Sequence, residues 1–99
     1  MAEKIKIYTV NVSKSAKNNL MNSLDVLKRI EARIKSLEKF PERGGYVPEL
    51  LKHNIKDFRQ LIESPWKIIY RIENDIVNIL IIIDSRRNTQ DILMEKLIK

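Results

Sequence analysis

Five cations stand where they could handle a phosphate or a carboxylate: Arg59, Lys67, Arg71, Arg86 and Arg87. Arginine offers planar, paired donors that suit two oxygens at once, and lysine offers a compact point charge. What the chain lacks narrows the chemistry. It has no cysteine, hence no disulfide and no thiolate, and His53 is its only histidine, which excludes a histidine-rich metal site. No cofactor or metal is expected. Displacement at a phosphate by a hydroxyl needs that hydroxyl deprotonated and the leaving oxygen protonated. Lysine and arginine stabilise the crowded phosphate charge. Arginine is always protonated, and lysine becomes a base only where like charge and burial favour the neutral amine. Lys67, beside Arg71 on a half-buried strand, is the candidate for that role. In the bland reading, Arg59, Lys67 and Arg71 pair with Asp57, Glu63 or Glu73 on neighbouring strands.

All of these cations but Arg59 are carried by the stretch 66–87. Trp66, Ile68, Tyr70 and Ile72 alternate with Lys67, Ile69 and Arg71, the period of a strand. Asn74-Asp75 suits a two-residue turn, because both types tolerate positive φ. Residues 76–83 are apolar except for Asn78, which predicts a strand covered on both faces. It ends in Asp84-Ser85-Arg86-Arg87, so the most buried strand delivers two arginines to its own end.

The remaining elements are read in chain order. Residues 4–12 predict a first strand, with Ile5 and Ile7 on one face and Tyr8, Val10 and Val12 on the other. Ser13 is placed to cap a helix. Ala16, Leu20, Leu24, Leu27, Ile30, Ile34 and Leu37 form a helical stripe, broken near Asn22–Asp25 into a hairpin of two helices. Phe40-Pro41 ends the second helix. Gly44-Gly45 reads as a flexible turn, because neither a preceding strand nor a Gly-Lys-Ser/Thr pattern supports a phosphate loop. Residues 46–54 read as a linker with one short helical turn at Glu49-Leu50-Leu51, leaving His53 exposed. Residues 56–63 predict another strand, with Phe58 and Ile62 opposite Arg59 and Leu61. Asn88-Thr89 caps a final helix whose apolar side is Ile92, Leu93, Leu97 and Ile98.

The expected fold class is therefore α+β: a small antiparallel sheet packed against a helical hairpin, in the order β-α-α-β-β-β-α. The hairpin is expected to cover one sheet face. The other face would carry Arg59, Lys67 and Arg71, with Arg86 and Arg87 at its rim.

A chain of 99 residues makes one domain, 1–99, with a modest core. The net charge is +6 and the pI near 9.7. Residues 1–55 hold 11 basic and 6 acidic side chains, and residues 56–99 hold 8 and 7. The excess suggests an anionic partner, nucleic acid or an acidic protein; a bare solubility role is the alternative. Lys28, Arg29, Arg33, Lys35 and Lys39 coat the second helix as a solvated face or a docking surface. No stretch approaches the roughly 20 apolar residues of a membrane helix, and the charged start does not look like a signal peptide. A cytoplasmic location is expected.

Several segments in order resemble the RelE/ParE superfamily of type II toxin–antitoxin toxins. They are Ser15-Ala16-Lys17, Leu37 with Phe40-Pro41 and the Gly-Gly pair, and Val47-Pro48-Glu49-Leu50. Phe58-Arg59-Gln60-Leu61, Trp66 to Ile72 and Ile83 to Asn88 follow. The resemblance implies a small cytoplasmic toxin that arrests growth in a plasmid-stabilisation module and is neutralised by a cognate antitoxin. ParE-like members poison DNA gyrase; RelE-like members cut messenger RNA on the ribosome. In the nucleases a basic residue on the strand from Trp66, another after the next strand, and a tyrosine in the terminal helix serve cleavage. Lys67 and Arg87 match the first two. The tyrosine position falls near Leu93, and no Tyr or His follows Tyr70, which favours the gyrase reading. Under the ribonuclease alternative Lys67, Arg71, Arg86 and Arg87 are catalytic; under either, these and Arg59 bind target or phosphate. An inactive relative that only binds antitoxin is the third possibility. The antitoxin is expected to be acidic or amphipathic, disordered when free, and to fold around the toxin.

Overall fold

The computed structural model describes residues 7–13, 24–87 and 89–97. Over these, the chain runs β1 (Thr9–Val12), α1 (Leu24–Ser36), β2 (Gly45–Tyr46), α2 (Pro48–Leu51), β3 (Arg59–Glu63), β4 (Trp66–Glu73), β5 (Ile76–Asp84) and α3 (Thr89–Leu97). The strands form one sheet in the order β1-β5-β4-β3-β2. The α+β class stands. The sheet is not wholly antiparallel, however: β1 runs parallel to β5, with Thr9 opposite Ile76 and Val12 opposite Ile79. A first strand joined to the last must cross the sheet, and local alternation carries no record of that pairing. The first helix of the expected hairpin, with Ala16 and Leu20, lies outside the described residues, as do the strand positions 4–6. Ser13, expected as its cap, donates its hydroxyl to the Leu80 carbonyl at 2.9 Å.

Both sheet faces are covered. On one, Ile30, Ile34 and Leu37 of α1 and its following turn pack on Leu61, Ile68, Tyr70, Val77, Ile79 and Ile82. On the other, Val47 and Leu50 around α2 and Leu93 of α3 pack on Phe58, Ile69, Ile81 and Ile83. Each fully buried isoleucine contributes about 1.5–3 kcal/mol, which is why β5 tolerates no polar residue between Ile79 and Ile83.

A bulge sorts β5 between the two cores. Tyr70 pairs with Ile79 but Ile69 pairs with Ile81, leaving Leu80 as the extra residue. An extra residue inverts the alternation beyond it. Val77 and Ile79 therefore share a face with Ile82, while Ile81 and Ile83 turn to the other. The turn to β5 has Asn74 at φ 55°, the left-handed conformation its type tolerates.

Four expectations change. Residues 46–54 are not a linker: Gly45–Tyr46 pairs with β3, and Val47 and Leu50 are fully buried. The strand expected from residue 56 begins at Arg59, and the helix expected to end at Pro41 ends at Ser36, followed by turns. The glycine pair is not merely flexible. Gly44 is buried, and its N–H donates to the Tyr70 hydroxyl at 3.0 Å, which itself donates to the Pro41 carbonyl at 2.7 Å. Burial raises the Tyr70 pKa, with smaller opposing effects from the Gly44 N–H and nearby arginines, so the phenol stays a donor. Tyr70→Phe leaves the Gly44 N–H and the Pro41 carbonyl unpaired. It is expected to cost about 1–3 kcal/mol, read as a lower urea midpoint at unchanged m.

Candidate functional site

The predicted cations divide between the two ends of β4. Lys67 lies opposite Ile83 and Arg71 opposite Asn78. Four strand residues separate the two, on the order of 13 Å at about 3.3 Å each. The near end brings Lys67 together with the β5 terminus, Asp84 to Arg87. The far end brings Arg71 near Arg59, in an open cleft of about 640 Å³ that also includes Lys56, Glu42, Asp57 and Glu73.

The expected continuous basic face does not form. Arg59 pairs with Tyr70 and Leu61 with Ile68, so Arg59 stands on the α1 face, opposite Lys67 and Arg71. The face of Lys67 and Arg71 is mainly apolar core under α2 and α3, with the cations at its flanks. The β3 register follows the hydrophobic pairing of Leu61 with Ile68, and Arg59 goes where that register sends it.

Lys67, Arg71 and Arg86 each pair with a carboxylate, and Arg59 hydrogen-bonds backbone carbonyls. The Lys67 ammonium pairs with Glu49 Oε2 at 2.9 Å, with the two side chains 13% and 21% exposed. The expected like-charge environment is thus replaced by a carboxylate from α2, a residue the sequence reading placed in a linker. Burial raises the Glu49 pKa, but the Lys67 hydrogen bond, a backbone N–H and the Lys67 and Lys52 charges together hold it below its ordinary value. Arg71 donates Nε and Nη2 to Glu73 Oε1 at 2.8 and 2.6 Å, and lies 5.7 Å from the Phe58 ring centroid. Arg71 and Glu73 thus pair within β4, not across neighbouring strands as expected. Arg59 donates to the Gly44 carbonyl at 2.7 Å and stacks over Tyr46. Glu63 serves α1 instead, bridging to Arg29 at 3.6 Å and Arg33 at 3.2 Å.

Past β5, Asp84 shapes the arginine pair. Its Oδ1 accepts from the Arg86 backbone N–H and Nε, both at 2.9 Å, and its Oδ2 accepts from Nη2 at 2.5 Å. The Arg86 side-chain and backbone hydrogen bonds, with the charges of Arg86 and Arg87, hold the Asp84 carboxyl at about 2. A depressed carboxyl keeps its pairing above the unfolded value and loses it as pH falls through the folded one. The Asp84 carboxyl therefore stays ionised at any biological pH. Arg87 is exposed, and its N–H donates to the Asp84 carbonyl at 3.0 Å.

Two side chains bear on proton transfer here. Leu93, the position of the nuclease tyrosine in the resemblance, is fully buried among Ile69, Ile81 and Ile83. His53 is exposed, and its Nε2 lies 3.4 Å from Gln90 Nε2 on α3; no sequence signal pairs those two. Among the described residues no three His, Cys, Asp or Glu side chains gather to hold a metal, and no helix is long and apolar enough to cross a membrane.

Residues 10–89 match the family described as the ParE toxin of type II toxin–antitoxin system, parDE. The toxin–antitoxin complex RelBE2 of Mycobacterium tuberculosis contains a chain of similar fold. It has 20% identity and a TM-score of 0.64, over 84% of this chain and 97% of that one. The chain matches no curated protein sequence.

Proposed function

Because the chain belongs to the ParE toxin family of type II toxin–antitoxin systems, we propose that it arrests growth by engaging DNA gyrase and that a cognate antitoxin holds it inactive in the cytoplasm. The observation that carries the gyrase reading is the burial of Leu93. The terminal helix offers an isoleucine-lined core contact where a nuclease needs an acid–base group. The salt bridge from Lys67 to Glu49 adds to it, because the amine is already engaged by a carboxylate of its own chain. The whole chain acts as one domain. Arg86 and Arg87, on the exposed turn after β5, are the contacts proposed to meet the target first, with Lys67, Arg71 and Arg59 behind them.

One arrangement favours the ribonuclease alternative. The β4–β5 register puts Lys67 at the same end of the sheet as Arg86 and Arg87, a grouping that suits a phosphate.

Induction in cells separates the readings. The expected result is growth arrest with intact message and altered supercoiling of a reporter plasmid. Message cut within minutes, and spared by Arg87→Ala, overturns the gyrase reading in favour of RNA cleavage. Growth without arrest leaves a relative that binds antitoxin alone.

A further inference from the structure

We propose that the groove between the end of α1 and the start of β1, floored by Ile7 and Phe40 and rimmed by Lys35, Lys39 and Arg43, is the seat of an acidic, amphipathic peptide segment. On the reading above, which this inference rests on, that segment belongs to the antitoxin.

The groove is built by one backbone contact. The Tyr8 N–H donates to the Glu38 carbonyl at 2.7 Å, tying the approach to β1 against the turn after α1. This brings Ile7 beside Phe40. They are 62% and 64% exposed, more than any other large apolar side chain described. With Ala32 they line a hollow of about 560 Å³. Two large apolar side chains left open beside one another and rimmed by charge offer a partner a small apolar contact.

Charge distinguishes this groove from the β4 site. There, Lys67, Arg71 and Arg86 are each held by a carboxylate of the same chain, and an incoming anion must compete. Lys35, Lys39 and Arg43 line the groove with Glu38 as the single carboxylate, and these three cations form no ion pair among the described residues. A partner that carries carboxylates beside a large apolar side chain satisfies both the rim and the floor. Nucleic acid brings phosphates for the rim but no aliphatic group to cover Ile7. A second copy of a +6 chain brings further positive charge. Complementarity of this kind speeds encounter and selects partners.

The test uses the full chain co-expressed with the product of the gene beside its own, followed by affinity measurement on the purified pair. Phe40→Ser and the double variant Lys39→Glu/Arg43→Glu are each expected to weaken the complex roughly 10–100-fold, as for truncation of an interface anchor. Lys52→Glu, an exposed charge reversal at the end of α2 on the opposite face of the sheet, is expected to change it less than about 2-fold, because exposed charges beyond a Debye length are screened. Circular dichroism confirms that each variant folds. A complex indifferent to both groove variants overturns the groove assignment and leaves the antitoxin reading standing. A wild-type chain that does not bind the neighbouring product overturns both. If the groove variants lose binding to poly(U) RNA and keep the protein partner, the occupant is nucleic acid and the proposal is wrong.

Discussion

Gly44→Ala is expected to destabilise the domain by about 3 kcal/mol, the sum of overpacking at roughly 1–3 kcal/mol and a disturbed hydrogen bond at about 1 kcal/mol. A Cβ at this position would lie 2.5 Å from the Gln60 carbonyl oxygen and 2.5 Å from the Tyr70 hydroxyl. The first contact is backbone and the second a buried ring, so neither yields without moving the β2–β3 edge or expelling the phenol. At roughly 4–8 °C per kcal/mol for a domain of this size, the melting temperature should fall by about 12–24 °C. Gly45 is the control. Nothing lies within 4 Å of a Cβ there, and its alanine variant should melt within a few degrees of the parent. Equal losses at the two positions would show that close approach is not what requires a glycine at 44.

Lys67→Met is expected to cost about 1–3 kcal/mol at pH 7. Breaking a fully buried pair costs about 3–5 kcal/mol, and the partial exposure of both side chains reduces that. The loss comes from Glu49, whose Oε1 is already buried without a hydrogen-bond donor and whose Oε2 would lose its ammonium partner. The double variant Glu49→Leu/Lys67→Met removes that stranded charge and should recover most of the loss, because a pair exchanged for apolar groups is often neutral. The dependence on pH has a fixed sign. The fold lowers the Glu49 pKa below 4.5, so the stabilisation is present above that value and fades as pH falls through the folded one. Wild type and Lys67→Met should differ most near neutrality and converge in acid. A gap that widened below pH 4.5 would overturn the assignment of the effect to this pair.

The parts of the fold with local signatures could be read in advance. Alternation from Trp66 to Ile72, an Asn-Asp turn and an arginine pair after an apolar run specified β4, its turn and the end of β5. The α1 stripe likewise placed Ile30, Ile34 and Leu37 in the core. The parts that failed are set by distant partners. The bulge at Leu80 changes which face an isoleucine takes without changing composition, and the β1–β5 pairing joins residues more than 60 apart. The site failed for a related reason. Alternation puts Arg59 on one face with Leu61, but the pairing of Leu61 with Ile68 decides which sheet face that is, and it is not the face of Lys67. Glu49 went unread as the partner of Lys67 because it lies 18 residues away, in a stretch whose Pro48 and short apolar run look like a connector. Val47 and Leu50 turn that stretch into core, and Glu49 follows them.

The pairing of β1 with β5 also governs when the protein can exist. Thr9–Val12 finds its partners only at Ile76–Ile79, and Ser13 anchors at Leu80, so the sheet cannot close until most of the chain has left the ribosome. A contact of such long range makes folding slow compared with helix formation. A nascent or truncated copy therefore carries an incomplete sheet. For a member of a toxin family, that delay falls after synthesis and before the finished surface is available to any partner.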